Sequence, residues 1–187
     1  MISLLLLIFV QSCREPETYR IPEEYKPYIM FDEGTRWVYY DSLNNKNDTI
    51  ELVSQNTDLE QYTEDPNFYE VLLQHFLFAS EDTFFSSSVF YGSRGLYSEY
   101  SIDFNEYWRG VLLFENTNYY YETAFFPSKN INDSLYNNVF FCELDYPVGN
   151  SDTVRFWWAK NVGMVRSEIF NLSNNNNHLI KLVKTIQ

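Results

Sequence analysis

The chain is poor in basic residues, cysteine, histidine, glycine and proline, and each shortage removes a class of function. Against 26 Asp and Glu stand 13 Lys and Arg, a formal charge of −13. Nucleic-acid affinity comes largely from Lys and Arg on phosphates. Docking onto anionic headgroups draws on the same side chains. The composition therefore argues against both, and no nucleic-acid partner is expected. The two histidines, His75 and His178, lie far apart in sequence. There is no His-Glu-x-x-His run and no Cys–His cluster, so no metal site and no cofactor are expected. Six glycines and six prolines make neither a collagen-like nor a low-complexity chain. Gly92-Ser93-Arg94-Gly95 is a tight turn, not the Gly-x-Ser-x-Gly of a nucleophile elbow. No catalytic residue stands out, and the chain is read as not an enzyme. A hydrolase built on paired carboxylates is the third and weakest reading, because the sequence does not select a pair.

Abundance lies elsewhere. Aromatic residues make up 19% of the chain, with 16 Tyr and 16 Phe. Aromatic and β-branched side chains favour strands. Leu96, Tyr100, Ile102 and Phe104 alternate with Tyr97, Glu99, Ser101 and Asp103, the pattern of a half-buried antiparallel strand. Val154, Phe156 and Trp158 face one way, and Thr153, Arg155 and Trp157 the other. Residues 68–79 fit either a helical stripe or a strand with two apolar faces; strand is preferred because the neighbours are strands. Residues 54–66 and 127–137 are polar and read as loops. Asn44-Asn45-Lys46-Asn47, Asn161-Val162-Gly163 and Asn174–Asn177 read as turns, since Asn tolerates positive φ cheaply. The result is an all-β chain, an antiparallel meander of about ten strands forming a curved sheet, half-open barrel or sandwich.

The first thirteen residues differ from the rest. Leu4-Leu5-Leu6-Leu7-Ile8-Phe9-Val10 is an unbroken apolar run, followed by Gln11, Ser12 and Cys13. It is half the length of about 20 apolar residues that a membrane span needs, and it suits a signal h-region. No basic residue precedes Leu4, a departure from the usual positive n-region. Val10-Gln11-Ser12-Cys13 resembles the lipobox of bacterial lipoproteins. That resemblance implies cleavage before Cys13, acylation of Cys13, and attachment to the outer membrane on its periplasmic or outer face. The implied organisation is a signal peptide over 1–12, a lipid-anchored tether over 13–33 and a single β domain over 34–187. The second cysteine, Cys142, then has no partner in the chain and reads as a small buried residue on a strand.

Two further motifs point the same way. Gly34-Thr35-Arg36-Trp37-Val38-Tyr39 and Trp158-Ala159-Lys160-Asn161-Val162-Gly163-Met164-Val165-Arg166-Ser167-Glu168 resemble the opening and closing hairpins of Gram-negative envelope lipoproteins of unknown function. They imply an antiparallel β domain and no known reaction. The functional expectation is a lipid-anchored, non-catalytic module with a binding or structural role. Its partners would be the membrane, through the acyl chains, and a protein or apolar ligand. The alternative is a carrier holding a lipid or acyl chain in an aromatic-lined cavity. Asp41-Ser42-Leu43, Asp48-Thr49-Ile50, Asp133-Ser134-Leu135 and Asp152-Thr153-Val154 also resemble an O-glycosylation acceptor pattern of some Gram-negative envelope proteins. An Asp-Ser/Thr pair at a turn has its own local hydrogen-bonding reason as well.

Overall fold

The computed structural model describes residues 15–61, 66–78, 83–91, 99–105, 108–113, 121–145, 152–171 and 176–186. Twelve strands form one sheet: β1 (Thr18–Tyr19), β2 (Arg36–Asp41), β3 (Lys46–Gln61), β4 (Phe68–Phe78), β5 (Thr83–Tyr91), β6 (Glu99–Asn105), β7 (Trp108–Leu113), β8 (Tyr121–Ile131), β9 (Ser134–Asp145), β10 (Asp152–Ala159), β11 (Gly163–Asn171) and β12 (Asn176–Ile186). Among the described residues one short helix, α1 (Lys26–Ile29), precedes β2. The order along the sheet is β7-β6-β5-β4-β3-β2-β12-β11-β10-β9-β8, with β1 parallel to β4 off that path. Every other pairing is antiparallel. The all-β antiparallel class expected from composition is the class observed. The sheet is open rather than closed into a barrel, yet it curls, since β7 at one end comes close to β9 and β10 near the other.

The two meanders meet in the middle. The closing strand β12 pairs with β2, the first long strand, at Lys181–Tyr40 and Leu182–Tyr39. This joins the first long strand to the last in the best-buried part of the sheet. One face carries the core: Trp37, Tyr39, Ile50, Leu52, Leu72, Phe76, Val154, Phe156, Trp158, Ile180 and Leu182 are all buried. Burying a large apolar side chain contributes about 1.5–3 kcal/mol, so this face dominates stability. Cys142 is fully buried among these residues, as its setting in β9 leads one to expect.

Three expectations are corrected. Of residues 54–66, expected as a loop, 54–61 are strand: β3 continues to Gln61 against β4, past a bulge between Leu52 and Ser54. Its far half is polar because its side chains face solvent, while β4 satisfies its backbone. Residues 127–137 are likewise mostly strand. β8 runs to Ile131 and β9 starts at Ser134, joined by Asn132 and Asp133 with φ of 52° and 64°. Two successive positive φ values suit a two-residue hairpin, and Asn and Asp adopt them at low cost. Residues 68–78 are strand β4, as preferred above.

The third correction concerns the segment before Gly34. From Glu17 onward it is packed onto the sheet rather than hanging free. The Glu17 N–H donates to Asn67 Oδ1 (3.0 Å), and the Phe68 N–H donates to the Glu17 carbonyl (2.8 Å). The Ile21 N–H donates to Glu70 Oε2 (2.8 Å). Gln74 and Gln55 then hold the next stretch: Gln74 Nε2 donates to the Ile29 carbonyl (2.7 Å) and Gln55 Nε2 to the Phe31 carbonyl (2.6 Å). Gln74 is fully buried, and it is tolerated there because its amide is hydrogen-bonded. These bonds place Ile21, Tyr28 and Ile29 in the core cluster. The prolines that discourage a long helix here leave extended backbone for side-chain amides to bind.

Candidate binding surface

The start of β11 is where the opening and closing motifs meet. Gly163 has φ of +91°, which favours glycine, and a Cβ there would lie 3.3 Å from Phe31 and 3.4 Å from Trp37 Nε1. Trp37 Nε1 donates to the Val162 carbonyl (2.7 Å), and Tyr39 Oη donates to the Met164 carbonyl (2.8 Å). A bulge follows. Trp157 pairs with Arg166 and Trp158 with Met164, so Val165 has no partner on β10. Its carbonyl accepts instead from Asn132 Nδ2 (3.1 Å), at the tip of the β8–β9 hairpin. Three side chains thus satisfy three carbonyls around one turn. Trp37 and Tyr39 of the first motif and Gly163 of the second serve this packing.

The bulge also decides what the other face presents. Arg166 points away from the core, between buried Val165 and Ser167. Its cross-strand neighbours are Lys181 on β12 and Trp157 on β10; beyond these lie Tyr40 on β2 and Phe141 on β9. Tyr40, Lys181, Arg166, Trp157 and Phe141 therefore form one row across five strands, and all five are half-buried. Lys181 Nζ lies 5.1 Å from the Tyr40 ring centroid and Arg166 Cζ 5.6 Å from that of Trp157. Trp157 and Phe141 pack at 5.1 Å with a 48° tilt. Cross-strand pairs of this kind stabilise a sheet by about 0.2–1 kcal/mol each. That term accounts for the spacing, but not for three large rings left on a solvent face.

Beside the row lies a polar cleft of about 610 Å³, lined by Asn130, Asn132, Asp133, Arg166, Leu179 and Lys181. Arg166 is fixed on two sides, by Glu168 through Nε (2.7 Å) and by Asn132 Oδ1 through Nη1 (2.9 Å). A second, open trough of about 740 Å³ lies on the outer side near β2, β3 and β12, with Val38, Leu77, Val183 and Ile186 on its walls. The Arg36–Glu51 ion pair (2.7 Å) sits at its rim. It is an exposed pair, and such pairs contribute little to stability.

A different polar group closes the edge of the core. His178 lies on β12, paired with Ile169, in a strand that begins at Asn176. Its Nε2 is 2.7 Å from Asp41 Oδ1, and Asp41 is buried. Asp41 Oδ1 also accepts from the N–H of Leu43 (2.8 Å) and Oδ2 from Asn44 Nδ2 (2.8 Å). Burial alone would raise the Asp41 pKa. The bonds from the Asn44 side chain, His178 and the Asn44 and Leu43 N–H groups outweigh burial and hold it below the ordinary carboxylate value. A carboxyl with a depressed folded pKa contributes stability above its unfolded pKa of about 3.9, and loses it as pH falls through the folded value. Asp41→Asn is therefore expected to cost about 2 kcal/mol at neutral pH and to flatten the acid limb of the stability curve. Urea unfolding at pH 7 and below pH 4 checks this, and parallel curves for the two proteins would refute it.

The remaining residues singled out from sequence are scattered. Cys13 lies outside the described residues. His75 is exposed on β4. Among the described residues, no group of three or more His, Cys, Asp or Glu is arranged to hold a metal ion. Of the Asp-hydroxyl triplets, Ser42 is held by β12, with its Oγ accepting from the Leu179 N–H (2.8 Å). Thr49 and Thr153 are half-buried on strands, and Ser134 is exposed beside the β8–β9 turn. The outer row escaped the sequence reading. Its one visible signal was Trp157 on the face opposite Phe156 and Trp158.

The fold is similar to two solved structures, both at low identity. One is described as a lipoprotein from Parabacteroides distasonis ATCC 8503, with 14% identity, a TM-score of 0.43, and coverage of 83% of this chain and 96% of that one. The other is described as an exported protein with YmcC-like fold from Bacteroides fragilis NCTC 9343, with 13% identity, a TM-score of 0.41, and coverage of 83% and 97%. No family model and no curated protein matches the chain.

Proposed function

We propose that this chain is a lipid-anchored lipoprotein of the outer membrane whose β domain binds a partner and carries out no chemistry. The observation that carries the reading is the sequence Leu4–Val10 followed by Gln11-Ser12-Cys13, set immediately before the folded body. Glu17 is already bonded to Asn67 and Phe68, so the interval from Cys13 spans at most about 14 Å at about 3.5 Å per residue. A domain held so close to a bilayer presents its far side and its faces to whatever it binds. The carrier alternative has less support. Ile21, Tyr28 and Ile29 occupy core space along the sheet where a lipid chain would need to lie.

The test is chemical. Protein purified from native membranes should yield an N-terminal peptide that begins at Cys13 and carries acyl masses. A mature chain that retains Met1–Ser12, or a Cys13 free of fatty acid, would overturn the proposal. The same spectra test modification of the triplets. Ser134 is the expected acceptor, because its hydroxyl is exposed whereas that of Ser42 is engaged with β12. Ser134→Ala should remove any hexose-sized additions on this hairpin, and a spectrum unchanged by Ser134→Ala would refute the assignment.

A further inference from the structure

We propose that the outer row from Tyr40 to Phe141, with the polar cleft beside it, is a binding site for a neutral saccharide chain. The inference rests on reading the domain as a binding module, and not on acylation of Cys13. Three features of the site select this ligand. First, Tyr40, Trp157 and Phe141 leave ring surface at the solvent face, aligned by register across β2, β12, β11, β10 and β9. Four strand intervals of about 4.8 Å give a track of about 19 Å, long enough for several sugar rings in line. Pyranose C–H faces are apolar and flat, so they pack on aromatic surface while their hydroxyls remain available.

Second, the cleft supplies what those hydroxyls need. Asn130 and Asn132 are amides, which donate and accept; Asp133 accepts, and Arg166 and Lys181 donate. The cleft is held in shape before any ligand arrives, because Asn132 bridges the Val165 carbonyl and Arg166 Nη1. Preorganised donors lower the ordering cost of binding. Lys181 packs on the Tyr40 ring and lines the cleft, where its ammonium can meet an oxygen ligand.

Third, the charges balance. Arg166 and Lys181 (+2) face Asp133 and Glu168 (−2), so the site is close to neutral in a chain of formal charge −13. An acidic polymer would meet no net attraction here and would be repelled by the rest of the surface. An apolar ligand would strand the amides and charges of the cleft without partners. An uncharged polyhydroxyl chain avoids both penalties.

Affinity electrophoresis of the detergent-solubilised full-length protein tests this. Native gels would contain dextran, glucomannan, xylan or, as the acidic control, polygalacturonate. The wild type should be retarded in at least one neutral gel and not in the polygalacturonate gel. Trp157→Ala should weaken that retardation about tenfold, the loss of about 1.4 kcal/mol from one stacked ring. If Trp157→Ala unfolds, Lys181→Gln decides, since that side chain is half-buried on the outer face and lies outside the core. Unchanged mobility in every neutral gel, retardation by polygalacturonate alone, or equal retardation of the wild type and the folded variants would each overturn the proposal. None of these outcomes bears on the acyl mass at Cys13, so the two readings fail separately.

Discussion

Trp37→Ala is expected to lower the melting temperature by on the order of 10 °C. Trp37 is 4% exposed and stands where the opening strand, the closing hairpin and the N-terminal segment meet. Its ring contacts Phe31 edge-on at 5.0 Å and Phe76 at 6.2 Å, and its Nε1 donates to the Val162 carbonyl. Truncating a buried Trp to Ala costs about 3–5 kcal/mol through lost burial and the cavity left behind. At about 2–4 °C per kcal/mol for a domain of this size, that gives the stated shift. It is also a large part of the 5–15 kcal/mol that holds a typical domain together. Trp37→Phe separates the terms. It keeps most of the packing and leaves the Val162 carbonyl without its donor, so about 1–3 kcal/mol of the loss should remain. Thermal and urea unfolding of the three proteins measure this, and a Trp37→Ala variant within 1 kcal/mol of wild type would refute the account.

The sequence showed the strands and hid some of the reasons for them. Alternation of period two picked out the well-buried strands, because one face of each is packed and the other is wet. It failed on Asn56–Gln61, where both faces are exposed and composition looks like loop although the backbone is paired with β4. It failed again before Gly34. The core residues Ile21, Tyr28 and Ile29 there are held by Glu70, Gln74 and side-chain packing from distant strands, none of which has a local pattern. The turn at Asn132-Asp133 carried the right residues, but their meaning depends on the strands on either side. The binding row was least legible of all. Tyr40, Lys181, Arg166, Trp157 and Phe141 come from five strands and become neighbours only through register. Any shift of one residue would send them to the core face.

Cys13→Ser is expected to move the protein from the membrane fraction to the soluble fraction without changing its fold. No helix among the described residues is long and apolar enough to cross a membrane. The formal charge of −13 opposes adhesion to anionic headgroups. The apolar run Leu4–Val10 is well short of the length a span requires. On the proposed reading attachment falls to acyl chains, at about 0.8 kcal/mol per buried CH₂; one chain anchors only marginally and two or more anchor stably. Serine at position 13 removes the thiol to which they attach. The body should not notice, because among the described residues the first bond to the sheet is made by Glu17, and the buried segment from Ile21 to Phe31 is held by Glu70, Gln74 and Gln55. Fractionation with carbonate washing, together with a melting curve, measures both halves of the expectation. A Cys13→Ser protein that stays in washed membranes would place the anchor elsewhere in the chain. One that is released but melts several degrees lower would mean that the residues before Glu17 contribute to the fold.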